Sequence, residues 1–460
     1  MTTLTRQPAI LIFDIGKTAK KVLVFDPQFN VLEEQVETFP EITDDDGFPA
    51  DDLPRVSSWM LDRFHHYVNH PKFEISHCNV SGYGASLVHL DSKGELIMPF
   101  YNYLKPFPAQ SVSRFEQYNL ENKLCIETAS PYLGLLNSGL QLLWLKHERP
   151  AYFQRVAATL HLPQYFASLL TGQLATETTS VGCHTMLWNY QTRKYHDWVI
   201  REGLDHLFPP MAATTDVVSK QTGTQIVKIG VGVHDSSAAL MPYLATQHNP
   251  FLLLSTGTWN ICFNPFNDSP LSPRELASDC LCYLTYQSQP VKASRIFLGH
   301  EHEVQVHKLT EHFHVDKDYY KAIQFNRETF ERLSQTEGRP FYPMGMEGTG
   351  PLPGKPVHQT RLEDFTDIEE AYHQLIRYLV QWQMLSIDLV DPNSNVKDLI
   401  VVGGFTRNAV FLETLRRTMT NRNLLVSDHP RASALGAAWL VCGKAGYAGN
   451  EHLLSVMPYA

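Results

Sequence analysis

The same short pattern occurs in both halves of this chain: an apolar run, a polar turn with one glycine, and a second apolar run. In the first half Ala9 to Phe13 lead into Asp14-Ile15-Gly16-Lys17-Thr18, and Val22 to Phe25 follow. In the second, Phe251 to Leu254 lead into Ser255-Thr256-Gly257-Thr258, and Trp259 to Phe263 follow. Continuous apolar runs read as buried strands, so each copy predicts strand, tight turn, strand. A glycine lets backbone come close to a ligand, successive amides cradle an anion, and Asp14 can reach a hydrated Mg²⁺. Either turn alone is also what a polar-tipped hairpin would give. The repetition predicts a duplicated domain holding one polyphosphate between its halves.

A chain of 460 residues is too long for a single core and predicts two or three domains. A net charge of −10 argues against nucleic acid or an anionic membrane as the main partner. The seven cysteines form no CxxC pair, which suits reduced thiols in the cytoplasm. No basic-apolar-small leader precedes Asp14, and no apolar run approaches the roughly 20 residues that span a bilayer.

Along the chain, Val31 to Phe39 predicts a third strand and Glu41 to Leu53 a loop at the rim of the site. Val56 to Val68 has helical spacing, and Ser76 to Leu90 reads as strand, glycine turn, strand. Asn137 to His147 predicts an amphipathic helix with Leu140, Leu143 and Trp144 on one face. Tyr152 to Leu170 predicts further helix ended by Thr171-Gly172, and Tyr190 to Glu202 a return to helix. A strand from Ile229 to Val233 delivers His234-Asp235-Ser236-Ser237 to a helix start. Asp235 has two readings there, a cap for free amides or the base that an α/β enzyme keeps at a strand's carboxyl end. Its setting between two phosphate turns favours the base.

Pro265 to Gly354 reads as loop-rich. Within it His302 and His307 are five apart, so the zincin spacing fails, and a solvated helix face is expected. Leu375 to Leu389 predicts a helix, Leu399 to Val402 a buried strand, and Asn408 to Arg417 a helix. Gly403-Gly404 between them would let a flat ring lie on backbone. Ser433 to Ala438 predicts a close-packed helix start.

In this order, Asp14-Ile15-Gly16-Lys17-Thr18 with Lys21, His234-Asp235, Ser255-Thr256-Gly257-Thr258-Trp259, Gly403-Gly404 with Asn408, and Ala434 to Ala438 resemble the FGGY carbohydrate kinases. That family belongs to the actin, sugar-kinase and heat-shock ATPase superfamily. The branch that looks most similar is that of rhamnulokinase and the deoxyketose kinases, whose sugar-side hairpin Tyr83-Gly84-Ala85-Ser86 also resembles. The resemblance implies an α/β chain of two ribonuclease-H-like domains, 1–244 and 245–460, facing across a central cleft. It implies ATP and Mg²⁺ as cofactors and a small ketose such as L-rhamnulose or L-fuculose as acceptor, with a homodimer left open.

Carried over residue by residue, Asp235 would be the base and Asp14 would hold the metal through water. Gly16, Lys17, Thr18, Lys21, Gly257, Thr258, Gly403, Gly404 and Asn408 would bind ATP. Tyr83, Gly84, Ser86, His184 and His234, with Asp235, would meet the sugar.

Two departures bear on the substrate. Lys17 stands where relatives often carry a small residue or Thr, and Tyr103-Leu104-Lys105 where many carry Tyr-Arg-Asp. Gly16-Lys17-Thr18 is no P-loop, because the upstream glycine is absent. A xylulose, ribulose or polyol kinase is the alternative within the family. An actin-like ATPase and a sugar-binding sensor are the alternatives outside it.

Overall fold

The computed structural model describes residues 6–223, 225–335, 340–352 and 359–459. The chain forms two compact units. The first comprises Met1–Thr246, Cys282–Pro290 and Arg431–Leu453, and the second Gln247–Leu281, Val291–Pro430 and Leu454–Ala460. The first unit thus takes two segments from beyond residue 246, the larger carrying the helix Ala432–Cys442.

In the first unit β1 (Gln7–Ile15), β2 (Lys20–Phe25) and β3 (Val31–Glu37) form an antiparallel meander. Strand Phe73–Gly82 then pairs parallel to β1, Gln225–Gly230 lies beyond it and Val217–Thr222 at the edge. This is the ribonuclease-H-like arrangement. β1 and β2 are buried as continuous apolar runs, whereas the edge strand alternates exposed and half-buried residues.

α1 (Leu53–Val68) crosses one face of that sheet. Asp52 accepts a hydrogen bond from the Arg55 amide at 3.1 Å to cap it, and Val56, Met60 and Phe64 bury at i, i+4, i+8. Each such side chain contributes about 1.5–3 kcal/mol. Helix Ala432–Cys442 comes to the helix Asp235–Thr246 so closely that a Cβ at Gly436 would overlap the Ala238 carbonyl. That contact explains its run of small residues.

The second unit repeats the plan. Strands Phe251–Thr256 and Asn260–Asn264 are antiparallel, and Asp398–Gly403 runs parallel to the first, followed by Asn423–Val426. Helix Ile368–Val390 is capped by Asp367, which accepts from the Glu370 amide at 2.8 Å. It buries Leu375, Ile376, Leu379 and Val380 in the core of this unit.

Several expectations are corrected. Phe73–Gly82 and Leu87–Leu90 are strands but not a hairpin: the second leaves the sheet and pairs with Ala158–His161. That partner strand lies inside the stretch expected to be one helix from Tyr152 to Leu170. The chain goes extended ahead of Pro163, which sits in the first turn of a new helix, Leu162–Thr171, closed by Gly172 at φ 74°. Helix Ser138–Glu148 is not amphipathic, for every residue from Ser138 to Leu145 is buried. Its Gln141 amide donates to the Ala85 and Leu135 carbonyls at 2.8 Å, so a polar residue sits inside without cost to the pattern. Between 190 and 202 only Asp197–Arg201 is helical, capped by the His196 ring.

The segment expected to be loop-rich holds strands Cys280–Leu284 and Pro290–Ile296 and helices Leu298–His312 and Arg327–Gln335. Its last residues, Pro353 and Gly354, lie outside the described residues. The helix carrying His302 and His307 is half solvated only. His307 is exposed, while Glu301 is buried and accepts from the Met344 and Gly345 amides at 2.9 and 2.6 Å.

Candidate active site

Asp14 lies at the carboxyl end of β1, opposite Lys21 of β2 on one side and Ser81 of Phe73–Gly82 on the other. Burial raises its pKa, Lys21 lowers it, and the Asp235 charge raises it again. Ser433 and Ser81 favour the ionised form, and the balance is upward. Asp235 is the first residue of the helix Asp235–Thr246 and follows the two-residue strand Val233–His234, which pairs with the end of Phe73–Gly82. Two carboxylates that sense each other's charge thus stand at the ends of two strands that both pair with Phe73–Gly82.

Burial pushes Asp235 up to about 6, against the opposing effect of hydrogen bonds from the Ser236 amide (2.6 Å) and hydroxyl (3.2 Å). Its side chain keeps 34 % exposure, enough to meet a ligand. His234 Nε2 lies 3.3 Å from Asp235 Oδ1. Burial lowers the His234 pKa to about 4, so the ring is a neutral donor or acceptor at neutral pH rather than a counter-ion.

Around this pair the expected sugar-side residues gather. Gly84 is pressed against His234, whose Nε2 would be 2.8 Å from a Cβ there. The His184 ring is 6.5 Å from that of His234, and its Nδ1 lies 3.1 Å from the Leu136 carbonyl. Ser86 is buried beside Tyr83. Tyr283, in the segment 282–290, stacks on His234 at 5.7 Å. Tyr103 is pushed up to about 12 by burial and then by the charges of Asp235 and Asp51, which places its phenol in the field of both carboxylates.

The first turn is braced internally. The Gly16 amide donates to the Ala19 carbonyl at 3.0 Å, leaving the Lys17 and Thr18 amides with no carbonyl partner among the described residues. Thr18 is exposed. The Lys17 ammonium reaches back to Asp51 (2.6 Å) and Glu41 (3.2 Å). The charged loop before α1 gave a signal in its density of aspartates, but not which of them turns inward.

The second unit brings together Gly257, Thr258, Gly404 and Asn408 around a cavity of ≈ 690 Å³. Gly299, His302, Tyr320 and Phe405 complete its walls. Gly257 and Thr258 are exposed at the tip of the turn, and Gly299 packs on the Gly257 carbonyl so tightly that no side chain fits. Gly403 sits just behind, with φ 90°. Asn408 caps the helix Ala409–Thr418 through its Oδ1 (3.0 Å to the Phe411 amide) and donates to the Tyr372 hydroxyl at 2.8 Å. It therefore shapes the cavity wall as well as lining it. Gly299 and Tyr320 come from a segment with no strand-turn pattern to point to them, and His302, expected on a solvated face, is instead buried with its Nε2 3.0 Å from the Tyr372 hydroxyl.

Asp14 with Asp235 nearby is an oxygen-donor set suited to Mg²⁺, which takes one or two carboxylates and keeps several waters. The grouping Asp44, Asp45 and Asp46 is already engaged: Lys105 pairs with Asp44 (2.5 Å) and Asp46 (2.6 Å), and Arg149 with Asp45 and Asp46. Among the described residues no helix is long and apolar enough to cross a membrane.

Comparison with known proteins divides the chain near residue 245, so Cys282–Pro290 and most of Arg431–Leu453, which belong to the first compact unit, fall within the second match. Residues 9–241 match the model of the FGGY family of carbohydrate kinases, N-terminal domain, and residues 248–450 that of carbohydrate kinase FGGY, C-terminal domain. The chain is similar to L-fuculokinase of Escherichia coli (strain K12), 24 % identical over 279 residues covering 56 % of each protein. It is 26 % identical over 208 residues to rhamnulokinase of Bacteroides thetaiotaomicron, covering 42 % of this chain and 41 % of that one. The matches thus span about half the length of these curated relatives. A carbohydrate kinase from Novosphingobium aromaticivorans superimposes with a TM-score of 0.80 at 25 % identity, over 95 % of this chain and 91 % of that one.

Proposed function

This chain belongs to the FGGY family of carbohydrate kinases, and on that premise we propose that it transfers the γ-phosphoryl group of ATP to a hydroxyl of a small deoxyketose. The observation that carries the reading is the Asp14–Asp235 pair with the neutral His234 beside it. Similarity to an L-fuculokinase and a rhamnulokinase supports the choice of acceptor class.

Phosphoryl transfer asks for alignment and charge neutralisation more than for covalent chemistry. Asp235 accepts the proton of the attacking hydroxyl as that oxygen bonds to phosphorus and the bond to the departing ADP breaks. His234 donates to or accepts from a neighbouring hydroxyl, and Tyr83, Tyr103, Ser86 and His184 supply the remaining polar contacts. Buried groups of this kind discriminate sugars that differ by one hydroxyl, because the wrong sugar leaves one of them unpaired. Mg²⁺ at Asp14 would neutralise charge on the phosphates. In the first unit the Lys17 and Thr18 amides serve the phosphates. In the second unit, the cavity bordered by Gly257, Thr258, Gly404, Phe405 and Asn408 suits a nucleoside.

Coupled ADP release over L-rhamnulose, L-fuculose, L- and D-xylulose, D-ribulose and glycerol tests this. The deoxyketoses should give the highest kcat/KM, and no turnover with any of the six would sink the proposal. The pH profile supplies a second test. Asp235 must be ionised to accept a proton, so kcat/KM should climb through about pH 6 and level off above it. A flat profile between pH 5 and 8 would count against Asp235.

A further inference from the structure

Asp51, in the loop before α1, is 8 % exposed and takes three donors at once: Lys17 Nζ at 2.6 Å, Tyr83 Oη at 2.9 Å and Lys20 Nζ at 3.1 Å. Burial pushes its carboxyl up, but the Lys17 hydrogen bond and the two ammonium charges outweigh it, and the group stays ionised. Lys20 is 2 % exposed, and its ammonium also donates to the Lys17 carbonyl at 2.9 Å. The carbonyl in the middle of the first turn is therefore held by a buried cation, which Asp51 neutralises. Holding that peptide holds the direction of the neighbouring Lys17 and Thr18 amides.

On its other side Asp51 holds Tyr83, and the next residue, Gly84, packs directly on His234. One carboxylate joins the phosphate turn to the sugar-side wall through Lys20 and Tyr83.

We infer that Asp51 is a positioning residue that couples the first phosphate turn to the acceptor side of the first unit. Its consequence for turnover rests on the kinase reading above; the brace itself does not. A bare structural ion pair would stabilise the fold and leave the partition of the phosphoryl group untouched. A coupling brace sets that partition, because a turn out of line by even 1 Å costs about 10²-fold in transfer and lets water compete as acceptor.

Asp51→Asn keeps the size of the side chain, removes its charge and leaves Lys20 buried without a counter-ion. Tyr83→Phe keeps every charge and removes the hydrogen bond to Asp51 along with a contact to the acceptor. Where Asp51→Asn folds poorly, it is therefore the exchange rate of the turn in Tyr83→Phe, measured without sugar, that decides the matter. Amide hydrogen exchange over residues 16–20 of the free protein is measured together with kcat, acceptor KM and the ratio of ATP hydrolysis to sugar phosphorylation. Asp51→Asn should speed exchange in the turn at least about tenfold and lower kcat about 10–10²-fold. The hydrolysis ratio should rise in both variants. Exchange, kcat and hydrolysis ratio all within twofold of the native protein in both variants would overturn the inference. A native protein that phosphorylates no sugar would instead refute the kinase reading, and the exchange result would still decide whether Asp51 holds the turn.

Discussion

Asp235→Asn will bind nucleotide as the native protein does and lose acceptor phosphorylation by about 10²–10⁴-fold, the range a positioned general base contributes. The substitution is nearly isosteric, and its amide oxygen can still accept from the Ser236 amide, so the start of the helix Asp235–Thr246 is preserved. What disappears is the basic oxygen facing the acceptor. The loss should fall on kcat rather than on nucleotide affinity, and rapid-quench turnover beside ADP titration separates the two. Stability moves the other way. A carboxyl whose folded pKa is raised, here from 3.8 to about 6, contributes stability below pH 4 that fades as pH rises through 6. Asparagine carries no such loss, so the variant should melt no lower than the native protein at pH 7.5. Near-native turnover would remove Asp235 from the role of base.

The second large effect is expected at Gly403. Its φ of 90° and ψ of −156° belong to a region that side chains rarely occupy, and a Cβ there would overlap the Thr256 carbonyl. Thr256 ends the strand that enters the second turn. Its hydroxyl donates to the Val402 carbonyl at 2.6 Å and accepts from the Phe405 amide at 3.0 Å. Alanine at 403 must push these apart, at about 2–4 kcal/mol of stability, and it displaces Gly257 together with Phe405 at the cavity wall. Thermal melting and ADP titration of Gly403→Ala should both show the damage. The contrast is Gly404→Ala, whose Cβ would meet nothing nearer than 4.0 Å and whose φ is ordinary. Its melting temperature should stay close to native. Equal melting temperatures for the two variants would mean that the backbone at 403 is not the constraint.

How much of this was legible beforehand differs residue by residue. Asp14 was legible because the apolar run before it is β1, and the glycine turns were legible for the same reason. Asp235 was legible as a helix start, although the strand expected from Ile229 to Val233 is broken. Gln225–Gly230 ends ahead of Gly232 at φ 84°, and Val233–His234 pairs separately with Phe73–Gly82. Ala158–His161 was not, since four residues inside a longer apolar stretch have no period of their own. They become a strand because Leu87–Leu90 lies alongside to take their hydrogen bonds. Helix Ser138–Glu148 looked one-sided from its large residues alone. It is buried on every face from Ser138 to Leu145, and Gln141 is satisfied there by the Ala85 carbonyl, distant in sequence, as well as by that of Leu135.

Read alone, the order of residues determined the two strand-turn-strand units, Asp14 at the turn of the first, Asp235 at a helix start, and membership of a kinase family. Those features are local: apolar runs, glycines and caps act over a few residues. Tertiary structure decided the rest. It turned Lys17 inward to Asp51, made His234 neutral by burial, and carried the helix Ala432–Cys442 onto the first unit. Each of these depends on which distant surfaces remove water from which charge, and a linear pattern holds no record of that.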